Sequence, residues 1–212
     1  MMTEKPVNVF LTELSSSSAT PGGGSAAALI GSMGAALVSM VANLTKGKKK
    51  YESVEPEVLK VLEESELLRV SLEDAVKKDV EAFDEVMSAY ALPKETDEEK
   101  STRSEKIQEA LKIAIDAPME CAILAAKVIP LTKTIAEIGN VNIISDAGVA
   151  VLAARAAFKS AELNVYVNAS ALNDRKLAEK KIDEISQLAK VVDIEENEIF
   201  LYVSDVILKK NN

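Results

Sequence analysis

The chain of 212 residues carries 34 acidic and 25 basic side chains, a formal net charge of −9, and neither histidine nor tryptophan. That balance argues against duplex nucleic acid or an anionic membrane as the main partner, and the missing histidine removes triad hydrolysis and histidine-based metal catalysis, so no metal site is expected. Ala, Leu, Val, Glu and Lys dominate while Gly, Pro and aromatics are sparse, which favours an all-α chain folded as one domain over residues 1–212.

Val7, Phe10, Leu11 and Leu14 recur at helical spacing and predict a short amphipathic first helix, closed by the polar run of residues 15–18. Glu4 and Glu13 interrupt any continuous apolar stretch, so the segment does not read as a secretory leader. Pro21, Gly22, Gly23, Gly24 and Ser25 then open a central Gly/Ala-rich helix, uncharged over residues 24–45, with Gly31 and Gly34 one turn apart for close helix packing. Its length and the lysines behind it match a membrane span. Its small and polar residues fit a buried helix of a cytoplasmic protein better than lipid. Lone Cys121, in an apolar helical stretch, reads as a small core residue and fits a reducing compartment.

Lys46, Lys48, Lys49, Lys50 and Tyr51 follow the central helix, where cations complement the negative end of its dipole. Pro56 suits the first turn of a third helix running to about Ala91 and stopped by Pro93. Thr96 through Glu99 form a capping box for a fourth helix, with a kink expected at Pro118 and an end near Pro130. Gly139 and Asn140 mark a break. Ser145 is expected to cap a helix through about Leu172, and Asp174 a last helix, bent near Asp193, to Lys210. No strand alternation or internal repeat emerges, so the expected architecture is an antiparallel multi-helix bundle.

On the third helix Val61, Ser65, Leu68, Leu72, Ala75, Asp79, Phe83, Val86 and Tyr90 share one face. Asp79 stands where that pattern asks for an apolar side chain, either hydrogen-bonded as a structural group or desolvated with a raised pKa and fit for proton exchange. In a chain without histidine it is the leading acid–base candidate. The Gly-x-Gly-x-x-Ala pattern of the glycine-rich segment lacks the strand and βαβ unit of a dinucleotide site. What remains is a helix N-terminus able to hold an anionic or carbonyl oxygen. Asn140, Ser145 and Asp146 bring polar groups to a loop and helix start, where capping is the simpler role. Asn164 and Asn168, one turn apart beside Ala157, Ala161 and Leu172, suit a helix-to-helix hydrogen bond or a substrate contact.

The ordered set of Pro21 to Ala28, Lys46 to Tyr51, Lys78 to Phe83, Leu92 to Lys100, Gly139-Asn140 with Ser145-Asp146, and Asn164 to Asn168 resembles the formimidoyltetrahydrofolate cyclodeaminase and methenyltetrahydrofolate cyclohydrolase family. The resemblance covers nearly the whole chain. It implies an all-helical homodimer with a folate site near the subunit interface and the aspartate matching Asp79 as catalytic group. It also implies that the glycine-rich segment, the lysines with Tyr51, the Asn140, Ser145 and Asp146 block and the two asparagines face ligand.

A tetrahydrofolate derivative, with or without a polyglutamate tail, is then the substrate, with no permanently bound cofactor, and any formiminotransferase would be a separate protein. The Leu92-Pro93-Lys94 and Asn164/Asn168 blocks lean toward the cyclodeaminase, with the cyclohydrolase as alternative. A non-catalytic helical scaffold or ligand-binding protein is the alternative of another class.

Overall fold

The structure is a computed structural model and describes residues 5–209; Lys210, the expected end of the last helix, lies outside them. Helices α1 (Val7–Leu14), α2 (Gly23–Asn43), α3 (Glu55–Tyr90), α4 (Asp97–Ala114), α5 (Asp116–Ile138), α6 (Ile144–Ala171) and α7 (Arg175–Lys209) make up the bundle, with short 3₁₀ turns at Lys49–Val54 and Val141–Ile143. No strand occurs among the described residues.

α2 packs closely on α3 and α6 because its small side chains let these neighbours come close. A Cβ at Gly31 would press on Leu72 and Ala157, and one at Gly34 on the backbone of Ala150 and Ala154, so α3 and α6 meet the α2 backbone directly. Ala27, Ala28, Ala35, Val38, Val41 and Ala42 are buried around these contacts. By length and composition α2 and the run Val141–Ala171 could each cross a bilayer; 61% of the apolar window is buried within the protein for the first and 44% for the second.

A second pattern ties α2 to α3. Ser25, Ser32 and Ser39 recur every seven residues and meet Asp79, Glu73 and Ser65 in reverse order, at 2.7, 3.5 and 2.8 Å. The helices are therefore antiparallel, and each buried hydroxyl has a partner, as burial requires. Asp79 is the end of this ladder.

The fourth expected helix is divided into α4 and α5, with the break at Ile115 rather than at Pro118. Pro118 has no N–H to offer the carbonyl of Ala114 four residues earlier, so the interruption appears one turn upstream of the proline. Pro130 lies inside α5, and the helix continues to Ile138 before Gly139 ends it. Ser145 does not cap α6. Asn140 caps the preceding 3₁₀ turn through Asn142 N–H, and α6 starts at Ile144 with Ser145 already within it. Thr96 and Glu99 form the expected capping box, and Asp174 accepts from Leu177 N–H. α7 is unbroken at Asp193, which joins Arg155 and Lys159 in an ion cluster against α6.

Candidate active site

The face of α3 that carries Asp79 is buried from Val61 to Ala75 and then opens. Beyond Asp79, Phe83, Val86, Met87 and Tyr90 form one wall of a cleft of about 430 Å³. The opposite walls come from Thr20 and Gly22 to Gly24 before and within α2, Ala114, Ala117 and Pro118 at the α4–α5 break, and Asn164, Val167 and Asn168 on α6. Asp79 is the one charged side chain among the lining residues.

The Asp79 carboxylate sits on the first turn of α2. Its Oδ2 accepts the Ser25 hydroxyl at 2.7 Å, and the carboxylate also accepts the Ser25 backbone N–H. α2 has no side-chain cap of its own, so Asp79 serves that terminus from a neighbouring helix. Burial drives the Asp79 pKa up and the two Ser25 bonds pull it down; burial is the larger effect, and the pKa stands above the usual carboxylate value. Gly24 makes this contact possible, since any Cβ there would overlap the Asp79 carboxyl group. Behind Asp79, Cys121 is buried and its thiol is pushed up to about 12 by burial and the nearby carboxylates, so it is inert.

Asn164 and Asn168 do face this cleft, and Asn168 makes the helix-to-helix hydrogen bond that was one of the two expected roles. Asn168 donates across to Ala114 O of α4 at 3.1 Å, and Asn164 donates to Ser160 O of its own helix at 2.8 Å. Pro21 is buried beside the glycine turn.

The other expected ligand-facing residues lie elsewhere. Lys46, Lys48, Lys49, Lys50 and Tyr51 follow the far end of α2, about 30 Å from Asp79 at 1.5 Å per residue over its 21 residues. Asn140, Ser145 and Asp146 share that end, and none of these residues lines the Asp79 cleft of its own chain. There Asn140 N–H donates to buried Thr45 Oγ1 at 2.9 Å, Asn140 Nδ2 donates to Leu44 O, and Val141 N–H donates to the Tyr51 hydroxyl. Asn140 and Tyr51 thus tie the end of α2 to the start of α6. The four lysines are exposed. Gly47, at φ 71°, turns the lysine loop so that its N–H meets the Glu55 carboxylate.

Thr20, Leu111, Ala114 and Val167 line the cleft without having stood out in sequence. They are apolar or capping types on surfaces that only the tertiary fold joins; Pro118 was the one local signal, as a helix breaker. A separate groove of about 500 Å³ between α3 and α5 carries two carboxylates, Glu57 and Glu64, both exposed and without the environment of Asp79.

A family model described as formiminotransferase-cyclodeaminase matches residues 6–187. The chain is 57% identical over 188 residues to a methenyltetrahydrofolate cyclohydrolase of Methylorubrum extorquens, covering 89% of this chain and 90% of that protein. It is 32% identical over 182 residues to the rat formimidoyltransferase-cyclodeaminase, covering 86% of this chain but 34% of the larger rat protein. The crystal structure of a formiminotetrahydrofolate cyclodeaminase from Thermotoga maritima superposes over 100% of both chains with a TM-score of 0.82 at 29% identity. The chain belongs to the formiminotransferase-cyclodeaminase family.

Proposed function

We propose that this chain is a folate one-carbon enzyme in which Asp79 moves protons at the one-carbon centre of a tetrahydrofolate derivative. The observation that carries the reading is a partly desolvated carboxyl group with a raised pKa, the one charged side chain of a cleft, in a chain without histidine. The reaction uses no permanently bound cofactor and takes place in the cytoplasm, with any formiminotransferase a separate protein.

Two reactions fit one carboxyl group. In the cyclohydrolase reaction water adds to the methenyl carbon and gives a proton to the Asp79 carboxylate. The ring C–N bond then breaks as the leaving nitrogen takes a proton, the new hydroxyl loses one to become a formyl oxygen, and one proton in total passes to solvent. In the cyclodeaminase reaction N10 attacks the N5-formimidoyl carbon and gives its proton to the Asp79 carboxylate, while the imino nitrogen takes a proton and becomes an amino group. The amino nitrogen takes a proton and departs as ammonia, leaving the methenyl cation. The 57% identity over nearly the full length of both chains favours the cyclohydrolase. The Thermotoga maritima structure supports the cyclodeaminase as the second reading. Incubating the purified protein with methenyltetrahydrofolate and, separately, with formimidoyltetrahydrofolate decides between them by loss of the methenyl chromophore or release of ammonia. Neither event would end the enzymatic reading and leave a scaffold or binding protein.

The same reading includes a homodimer. α2 packs on α6, and neither the outward residues Ile30, Met33, Leu37 and Met40 of α2, with Leu44 just after it, nor Val149, Leu152, Ala156, Leu163 and Val167 of α6 carry a charge. A second copy is the occupant suited to this face, because a large uncharged two-helix surface is self-complementary under a two-fold axis.

A further inference from the structure

We propose that the side-chain oxygens of Asn164 and Asn168 form a hydrogen-bond-accepting wall of the cleft, and that Pro118 is the positioning residue that fixes Asn168 in this role. The proposal rests on the folate reading only for the identity of the ligand. The chemistry it selects is a planar nitrogen heterocycle with adjacent N–H donors, of which the pterin of folate is one.

A carboxamide normally offers two donors and one acceptor, and can turn over to exchange them. Here both amides are already committed. Asn164 Nδ2 donates one N–H to Ser160 O and Asn168 Nδ2 one to Ala114 O, which fixes each amide's orientation, since a flipped amide would set an oxygen against a carbonyl oxygen in each case. Neither side-chain oxygen has a protein partner among the described residues, and no fully enclosed side-chain oxygen or nitrogen there lacks one. Both oxygens are therefore open, on side chains that line the cleft.

The Ala114 carbonyl is free to hold Asn168 because of Pro118. In an uninterrupted helix residue 118 would donate its N–H to Ala114 O; proline has none, and the helix breaks at Ile115. Asn168 takes over the orphaned carbonyl from α6 at 3.1 Å. Gly23 and Gly24 at the start of α2 line the same cleft, Gly23 beside the Asn164 amide and Gly24 against the Asp79 carboxyl group. The lining residues include no lysine or arginine. The cleft thus offers open acceptors along α6 and the Asp79 carboxyl group with no cation beside them, a pattern that admits a neutral or cationic ring with N–H groups on one edge and rejects an anionic one.

The test measures equilibrium binding of 5-formyltetrahydrofolate and, by ligand-observed NMR, of 2,4-diaminopyrimidine as a small donor-rich probe. Asn168→Asp, which keeps the acceptor but loses the Nδ2 anchor on Ala114 O, should weaken binding of both several-fold, as Pro118→Ala does, whereas Asn168→Leu, which removes the acceptor as well, should lose about tenfold or more. Pro118→Ala restores the competing N–H and should weaken binding several-fold with Asn168 intact, but add no further loss to Asn168→Leu. Thermal melts of each variant separate a folding defect from a binding one, and Asn168→Asp provides the folded comparison where Asn168→Leu melts early. Losses from Pro118→Ala and Asn168→Leu that multiply, or binding unchanged in both, would overturn the wall while leaving the folate reading intact. Asparagine-dependent binding of the pyrimidine without any folate binding would uphold the wall and end the folate reading. Binding of neither probe to the unaltered protein would end both.

Discussion

The Ser25 hydroxyl reaches Asp79 Oδ2 at 2.7 Å across 54 residues of sequence, and it does so over a glycine. α2 and α3 meet in a seven-residue serine register, and at its end the missing side chain of Gly24 leaves room for the carboxyl group to lie on the helix terminus.

Gly24→Ala should therefore displace Asp79 without disturbing the fold, since alanine is well accepted in a helix. Misplacing a reacting group by about 1 Å can reduce turnover by about 10²-fold. The expected result is a kcat loss of that order with a thermal midpoint close to that of the unaltered protein. Full turnover in Gly24→Ala would show that the Asp79 position is not what the chemistry needs.

Asp79→Asn should lower kcat by about 10²-fold or more while folate binding persists. Stability should move the other way with pH. The folded pKa of Asp79 lies above its ordinary value of 3.8, so the folded state holds the proton more tightly than the unfolded chain. The stability this contributes is complete below the unfolded pKa and is lost as pH rises through the raised folded pKa. Denaturant titrations at several pH values should show the unaltered protein losing stability relative to Asp79→Asn as pH rises through that window. A difference constant with pH would contradict the raised pKa.

The helices were legible in the sequence wherever a periodic face or a capping pair marked them, as with the α3 stripe and the Thr96–Glu99 box. Asp79 stood out because a charge interrupted an apolar face. The Pro118 break was visible but misplaced, because a proline acts on a carbonyl four residues upstream. The binding residues were harder to read. The lysines and Asn140 lie in the same ordered blocks as the glycine turn, yet a helix of 21 residues keeps them apart in space. Only the tertiary fold brings Ala114, Pro118 and Asn168 to one cleft.

Asn140 has a structural role at the far end of α2. It is buried, its N–H bonds Thr45 Oγ1, and its amide bonds Leu44 O, joining the end of α2 to the approach to α6. Asn140→Ala should cost about 1–3 kcal/mol of stability by leaving the Leu44 carbonyl without its partner. The KM for a monoglutamyl folate should stay unchanged. A raised KM in a variant of unaltered stability would restore Asn140 to a ligand-binding role.

The lysine cluster has a use in the Asp79 reaction if the dimer is antiparallel. The uncharged stripes of α2 and α6 run the length of both helices, so a two-fold axis lying in that face and across α2 sets the far end of one α2 beside the cleft of the partner subunit. A parallel arrangement would instead bring two clusters of Lys46, Lys48, Lys49 and Lys50 together, which like-charge repulsion opposes. The cleft end is acid-rich: Glu81, Asp84 and Glu85 lie on the last turns of α3, Glu95 in the connection, and Asp97, Glu98 and Glu99 on the first turn of α4. That end attracts the cluster and, without it, would repel a polyglutamate tail. Replacing all four lysines by glutamine should weaken polyglutamyl folate more than monoglutamyl folate, and the difference should shrink in high salt. Mixing that variant with Asp79→Asn distinguishes the two geometries. Random exchange makes half of the dimers mixed, and in each mixed dimer one cleft has its own Asp79 facing intact lysines from the other chain. About one quarter of the clefts should then regain full preference for the polyglutamyl substrate. If the mixture instead behaves as the sum of its two components, the lysines act within their own chain or not at all.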